Sequence, residues 1–326
     1  MATSTFTSTS SIGTGTSTDK IFAQDNKFWE IYSRGRPSVP PAFWSRIFTY
    51  HASKTNTTFN TVHDIGAGNG PYAQNLRSRF ANVIVSDIVA ENVALARERL
   101  SGQTGFTFRI APLESRNGIT PESIDMVFAA NVMHFAEPQA FAMETIASQI
   151  KCGGTFAAAM FGPARFVDRD ADIQNLWERI SAQGGRELLD STDNMEKGKK
   201  EQLLKVMART EGRYNVAPLD KRLWKDEVRI YLNMKQGGIL GMLPPEIEFE
   251  REPDYRAGDR SVEEGMEGWT FRANLEGLKE HFGSFPFVSQ FPEAFVRLYE
   301  ELEGFMSGGR VVEGYFPVVI ILATRK

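Results

Sequence analysis

The chain has 326 residues, of which 41% are hydrophobic and 24% charged, with a formal net charge of −4. That length and balance suit a folded domain with one large core and exclude a chain that is disordered throughout. The mild negative charge gives no reason to expect nucleic acid, the longest apolar run (Tyr315 to Ala323) is far short of the roughly 20 residues a membrane span requires, and the single cysteine, Cys152, excludes an internal disulfide.

Residues 1–18 contain 12 Ser or Thr and no charge, which predicts a disordered tail. The segment has neither the arginines of a transit peptide nor the apolar stretch of a secretory signal, so a cytoplasmic location is expected. From Thr61 the chain alternates short apolar runs with amphipathic stretches. Strands are predicted at Thr61–Ile65, Val83–Asp87, Phe106–Ile110, Ile124–Ala130 and Thr155–Phe161. Helices are predicted at Pro71–Phe80, Ala90–Leu100 and Pro138–Ile150. Strand and helix in alternation at this spacing imply a doubly wound α/β fold, a parallel sheet covered on both faces. Residues 163–244 are richer in charge and read as an inserted helical lid, with helices at Asp172–Ser181, Lys197–Arg209 and Lys221–Met234 and loops at Gly184-Gly185 and Gly237-Gly238. Residues 19–162 and 245–326 would form the sheet domain. In the latter, Ile247–Glu252 alternates like an exposed strand, Leu275–Phe282 and Pro292–Phe305 read as helices, and Tyr315–Thr324 should close the sheet.

The most informative stretch is Val62-His-Asp-Ile-Gly-Ala-Gly-Asn-Gly70, a strand running into a glycine loop. Glycine lets the backbone turn sharply and approach a ligand that a Cβ would block. A GxGxxG reading from Gly66 fails at Pro71, and no Lys-Ser/Thr follows, so neither a dinucleotide nor a phosphate loop is indicated. Asp64, beside the loop, would repel a pyrophosphate and favour a cation. S-adenosylmethionine carries a sulfonium and an ammonium and no phosphate. Asp87, at the end of the next strand, stands where an acidic side chain accepts hydrogen bonds from ribose hydroxyls, and Ile88 could lie against the adenine.

With these residues in view, the chain resembles the class I S-adenosylmethionine-dependent methyltransferases. Asp64–Gly70 is similar to their motif I, Val83–Asp87 to motif II, and Ser123–Asn131 to motif IV. Tyr32-Ser-Arg-Gly-Arg-Pro-Ser-Val-Pro40 and Ala130–Phe135 resemble the trans-aconitate methyltransferase-like branch, which acts on small molecules and has fungal members. The resemblance implies a Rossmann-like methyltransferase fold with S-adenosyl-L-methionine as cofactor. It implies that Gly66, Ala67 and Gly68 meet the methionine part, Asp87 the ribose, and Ile110, Ala111, Pro112 and Leu113 the adenine. Ala130 and Asn131 would lie beside the methionine end, with Tyr32 and Arg36 folding over the cofactor. The acidic residue the family often carries near Ala111 or Pro112 is missing, so Glu114 or backbone must serve. Phe135 replaces a Trp of that branch.

Methyl transfer is an in-line displacement at a sulfonium-activated carbon, so the protein must align the partners and exclude water. A carboxylate acceptor needs no base, whereas other acceptors do or can. His134, just past the fourth strand, is the candidate base, and His63 reads as structural. Phe135, Trp177, Tyr214, Trp224, Tyr231, Trp269 and Phe285 are candidates for the substrate pocket. The expected function is methylation of a small-molecule acceptor in secondary metabolism, with a carboxylate or hydroxyl oxygen favoured. The expectation includes no metal, no nucleic acid and no membrane partner, and nothing in the sequence specifies an oligomeric state. Two other readings share the cofactor signature: a pericyclic or cyclising enzyme that uses the sulfonium as fixed charge, and a regulatory binding protein.

Overall fold

A computed structural model of the protein describes residues 26–326, apart from 56, 193–197, 236 and 266–267. The expected tail at 1–18 lies outside the described residues. Two helices, α1 (Asn26–Gly35) and α2 (Pro41–Ala52), precede the first strand. Then follow β1 (Thr61–Ile65), α3 (Ala73–Arg77), β2 (Asn82–Asp87), α4 (Ala90–Arg99), β3 (Phe106–Ile110), β4 (Ile124–Ala130), α5 (Gln139–Gln149) and β5 (Ile150–Phe161). These strands pair in parallel in the order β3-β2-β1-β4-β5. The central strands are buried along nearly their whole length, as a sheet covered on both faces requires, whereas β3 at the edge is half exposed. Cys152 lies within β5 and is exposed.

The expected lid is only partly helical. It contains a two-residue strand, β6 (Arg165–Phe166), then α6 (Ala171–Asp190) and α7 (Lys199–Thr210). Gly184 and Gly185, expected in a loop, lie inside α6 and are buried there. The expected helix Lys221–Met234 is instead β7 (Trp224–Leu232), a strand of the main sheet. Its polar start, Lys221 to Glu227, imitates an amphipathic helix, but Val228, Ile230 and Leu232 alternate with period two and fill the strand beside them. Buried Arg229 is tolerated in this strand because Asp259 and the carbonyls of Val216 and Ala217 accept hydrogen bonds from its guanidinium. The sheet domain therefore reclaims the last part of the insertion.

Beyond β7 lie β8 (Arg260–Glu264), β9 (Thr270–Ala273), α8 (Leu275–Gly283), α9 (Pro286–Gln290), α10 (Val296–Phe305), β10 (Val312–Tyr315) and β11 (Val318–Arg325). Ile247–Glu252 forms no strand. The run Tyr315–Thr324 is split at Pro317. β10 joins β6 and β9 in a small antiparallel sheet, and β11 enters the main sheet antiparallel between β5 and β7. Thus β11 does not close the sheet; β8 does, and its charged Arg260, Glu263 and Glu264 suit an edge.

Candidate active site

The carboxyl ends of β1, β2 and β4 point into a deep cavity roofed by α1, α6 and α7 and by the segments 240–242 and 285–287. On the sheet side the glycine loop follows β1. Gly66 and Gly68 have φ of +60° and +56°, a region costly for residues with a Cβ. A Cβ on Gly66 would overlap Val132, and one on Gly68 would come 2.7 Å from the Trp29 ring. The loop is pinned from β2: Ala67 N–H donates to the Ser86 carbonyl at 2.9 Å and Gly68 N–H to Asp87 Oδ2 at 2.8 Å. The other oxygen of Asp87 accepts from Val89 N–H (2.9 Å) and from the Asn92 amide (3.4 Å). Asp87 is thereby held rigidly at the cavity wall.

Asp64 is the most informative group. It is 1% exposed, and its Oδ2 has no hydrogen-bond partner. Burial and, secondarily, the charge of Asp87 push its carboxyl well above the usual carboxylate range. A buried carboxylate without a partner is costly, and a cation or proton donor placed against it removes that cost. Across the cavity the reverse holds for Arg36. Its guanidinium lies 3.9 Å over the Phe285 ring and 4.9 Å over Tyr32, and one nitrogen donates to the Ser284 carbonyl at 3.3 Å. Its Nε has no partner, no carboxylate pairs with it among the described residues, and burial lowers its proton affinity. The cavity thus offers an unsatisfied negative site and an unsatisfied positive one. An amino acid sulfonium nucleoside, with two cationic centres and one carboxylate, fits both.

All but one of the residues expected to hold the cofactor line this cavity: Tyr32, Arg36, Asp64, Gly66, Ala67, Gly68, Asp87, Ile88, Ala111, Pro112, Leu113, Ala130 and Asn131. Ile110 does not; its side chain is 60% exposed. Asn131 has φ +54°, and its side chain accepts from Phe161 N–H at 2.8 Å, locking the end of β4 to β5. Glu114 lines the cavity and accepts from Glu137 N–H at 2.9 Å.

His134 also lines the cavity, in a 3-10 turn at Met133–Phe135. Its Nδ1 is 3.2 Å from the Tyr214 hydroxyl, and Arg209 donates to its backbone carbonyl at 3.1 Å. Burial, then the nearby Arg209 charge, lowers its pKa to about 3. A ring so reluctant to take a proton is a poor general base at neutral pH and acts as a neutral hydrogen-bonding wall. His63 is structural, bonded to Gln149 Oε1 (2.8 Å) and Ser86 Oγ (2.7 Å) inside the sheet.

Of the expected substrate-pocket aromatics, Phe135 and Phe285 line the cavity. Four others are core instead. Trp177 stacks flat on Phe282 at 4.2 Å, Trp269 on Phe161 at 5.5 Å, and Trp224 packs against Phe156 at 5.6 Å. Tyr231 is buried under Arg213, 4.6 Å from its ring, and is not part of the cavity lining. Both Trp224 and Tyr231 were assigned to the pocket with the lid helix that proved to be a strand. Tyr214 reaches the site only through His134. The residues missed by sequence reasoning include Trp29 and Tyr72 near the glycine loop, and Leu188, Leu203, Val206, Met207, Leu240 and Met242 on the helical side. Trp29, Tyr32 and Arg36 share one face of the chain at helical spacing, a signal that was available. The others have no local signal.

A Rossmann-like sheet with this loop, two strand-end acids and no phosphate-binding lysine defines an S-adenosylmethionine-dependent methyltransferase. Residues 63–158 match the family model described as a methyltransferase domain. The chain is 49% identical to methyltransferase gedG of Aspergillus terreus over 94% of both chains. It is 49% identical to methyltransferase tpcM of Aspergillus fumigatus over 95% of both, and 50% identical to methyltransferase AacuQ of Aspergillus aculeatus over 95% of this chain and 97% of that one. The chain belongs to this family of methyltransferases. Among solved structures, a candidate type II methyltransferase from Anaeromyxobacter dehalogenans shares the fold, with a TM-score of 0.54 at 16% identity over 89% of this chain and 97% of that one.

Proposed function

We propose that the enzyme methylates a small apolar acceptor at an oxygen, with a carboxylate favoured over a hydroxyl. The observation that carries this is the composition of the cavity opposite the glycine loop. Leu188, Leu203, Val206, Met207, Leu240, Met242 and Phe287 are apolar, Gln202 and Thr210 are the polar exceptions, and the one histidine is held neutral and weakly basic. A carboxylate is already ionised and needs no proton removed, so such a wall is sufficient for it; a phenol would need a better base. The apolar side chains would strip water from the nucleophile and hold it in line.

In the same reading Asp87 takes the ribose hydroxyls, Asp64 faces the cationic centres, and Arg36 with Tyr32 takes the carboxylate of the methionine part. When bound, the cofactor supplies a methyl carbon activated by its sulfonium. The trans-aconitate-like branch is the affinity we favour, on the strength of Tyr32–Pro40 and Ala130–Phe135. A place in secondary metabolism, in the cytoplasm and without nucleic acid or membrane partners, completes the proposal; no helix among the described residues is long and apolar enough to cross a membrane.

The test is methyl-labelled cofactor with a metabolite extract, followed by mild alkali. Label in small molecules that alkali releases as methanol is the expected result, because esters hydrolyse and aryl ethers do not. Alkali-stable label moves the acceptor to a hydroxyl or to nitrogen or carbon. Label in protein or RNA overturns the small-molecule reading.

A further inference from the structure

The helical wall of the cavity is shaped by two residues that do not line it. Gly184 and Gly185 are consecutive and buried in the interior of α6, where alanine would be the stronger helix former. Their reason is spatial. A Cβ on Gly184 would lie 2.5 to 2.7 Å from Cδ2, Cε2 and Cγ of Phe287, so that ring lies against the bare helix backbone. A Cβ on Gly185 would overlap the carbonyl oxygen of Met242. Phe287 and Met242 are both cavity residues, and each is drawn back against α6 by the missing methyl on one glycine.

We propose that the Gly184-Gly185 pair sets the width of the acceptor side of the cavity and so selects for broad, multi-ring apolar acceptors over single-ring ones. The inference rests on the reading that this side of the cavity receives the acceptor. With a side chain at 184, the Phe287 ring must leave the helix, and it moves into the space beside it that the cavity provides. Away from the cavity Phe287 already meets the buried ring of Phe295 at 5.7 Å, so the ring has no comparable room there. Met242 is held by its main chain, so a side chain at 185 displaces the whole 240–242 segment rather than one ring.

The experiment uses the full chain with S-adenosylhomocysteine bound. Binding of benzoic, 2-naphthoic and 2-anthroic acids, which have one, two and three fused rings, is measured by calorimetry in the native protein, in Gly184→Ala, and in Gly184→Ala with Phe287→Leu. The crystal structure of Gly184→Ala is solved in parallel. The expected result is that Gly184→Ala weakens three-ring binding by at least about tenfold while changing one-ring binding by less than about twofold, as overpacking by one methyl does. The smaller Leu should restore the three-ring acid, and S-adenosylhomocysteine affinity should not move. In the crystal, the Phe287 ring should have moved into the cavity. Equal losses across the three acids, no recovery in the double variant, or a Phe287 ring still seated on α6 would each overturn the proposal. If the native protein binds none of the acids, the acceptor class proposed above is wrong, and the position of Phe287 in the crystal still decides the role of the glycine.

Discussion

On the sheet side of the cavity most side chains come from strand ends and the turns after them, between Asp64 and Phe135, with Met160 and Pro163 at the end of β5. On the helical side they come from 29–36, 188, 202–210, 240–242 and 285–287, stretches that meet only when the chain is folded. The sheet side carries fixed charge and backbone donors; the helical side is largely apolar. A shared cofactor demands the first, since every reaction of this class presents the same nucleoside and sulfonium. The acceptor varies, and an apolar wall of packed side chains can be reshaped by single substitutions without disturbing the sheet. Under the proposed function the contrast is a division of labour: the sheet side, with Tyr32 and Arg36, serves the common reagent, and the apolar side chains opposite serve the particular substrate.

Substitutions can break that division. Asp87→Ala should have the largest effect, because the side chain holds Gly68, Val89 and Asn92 and, under the proposed function, takes the ribose hydroxyls as well. A loss of about 2–3 kcal/mol in S-adenosylhomocysteine affinity is expected by calorimetry. Unchanged affinity would remove Asp87 from the cofactor site. Arg36→Met keeps much of the packing on Phe285 and deletes the charge. Cofactor affinity should fall by about 1.5–3 kcal/mol with acceptor KM unchanged. The opposite split would transfer Arg36 to the acceptor side of the comparison.

Asp64→Asn should weaken S-adenosylmethionine by about 1 kcal/mol yet stabilise the cofactor-free protein. The folded-state pKa of Asp64 is raised, so its favourable contribution is complete below the ordinary carboxylate value and is lost as pH rises through the raised one. The melting-temperature advantage of Asp64→Asn should therefore be clear at pH 8 and shrink toward pH 4. An Asn variant less stable than the native protein at pH 8 would mean that Asp64 already has a partner.

A smaller effect is expected at the boundary between the two walls. His134→Gln should change kcat by less than about threefold and leave no inflection near pH 6.5 in either protein, because the ring is already neutral there. A native inflection near 6.5 that the variant abolishes would reinstate His134 as the base. Its lowered pKa also ties stability to acid. The contribution is present above the unfolded value near 6.5 and is lost as pH falls toward about 3, and His63 (about 4) and His281 (about 3) act in the same sense. Tyr231→Phe should have the smallest effect on catalysis. It keeps the buried ring beneath Arg213, so cofactor affinity and acceptor KM should both stay within error. A shift in acceptor KM would return Tyr231 to the pocket.

Where local pattern and final position coincide, the sequence was a sufficient guide. The strands β1 and β4 lie where apolar runs indicated, because a strand buried on both faces announces itself within five to seven residues, and the half-exposed edge strand β3 lies where its alternation indicated. The glycine loop with its two acids was equally plain, since chain direction alone brings the ends of β1 and β2 together. Reading failed where a local pattern had two interpretations. The charged start of β7 resembles a helix face, and only its place between β11 and β8 makes it a strand. Gly184-Gly185 resembles a turn, and only the ring of Phe287 and the carbonyl of Met242 explain glycines inside a helix.

The amino-acid order by itself determined the class of cofactor, because the groups that distinguish a sulfonium from a phosphate lie on adjacent strands and need no distant partner. The tertiary structure alone decided which aromatic rings face the cavity, how burial lowers the basicity of His134, and how far the helical wall stands from the sheet. Those properties depend on burial and on contacts between residues far apart in the chain, such as Gly184 with Phe287 and His134 with Arg209, and no local window of sequence contains them.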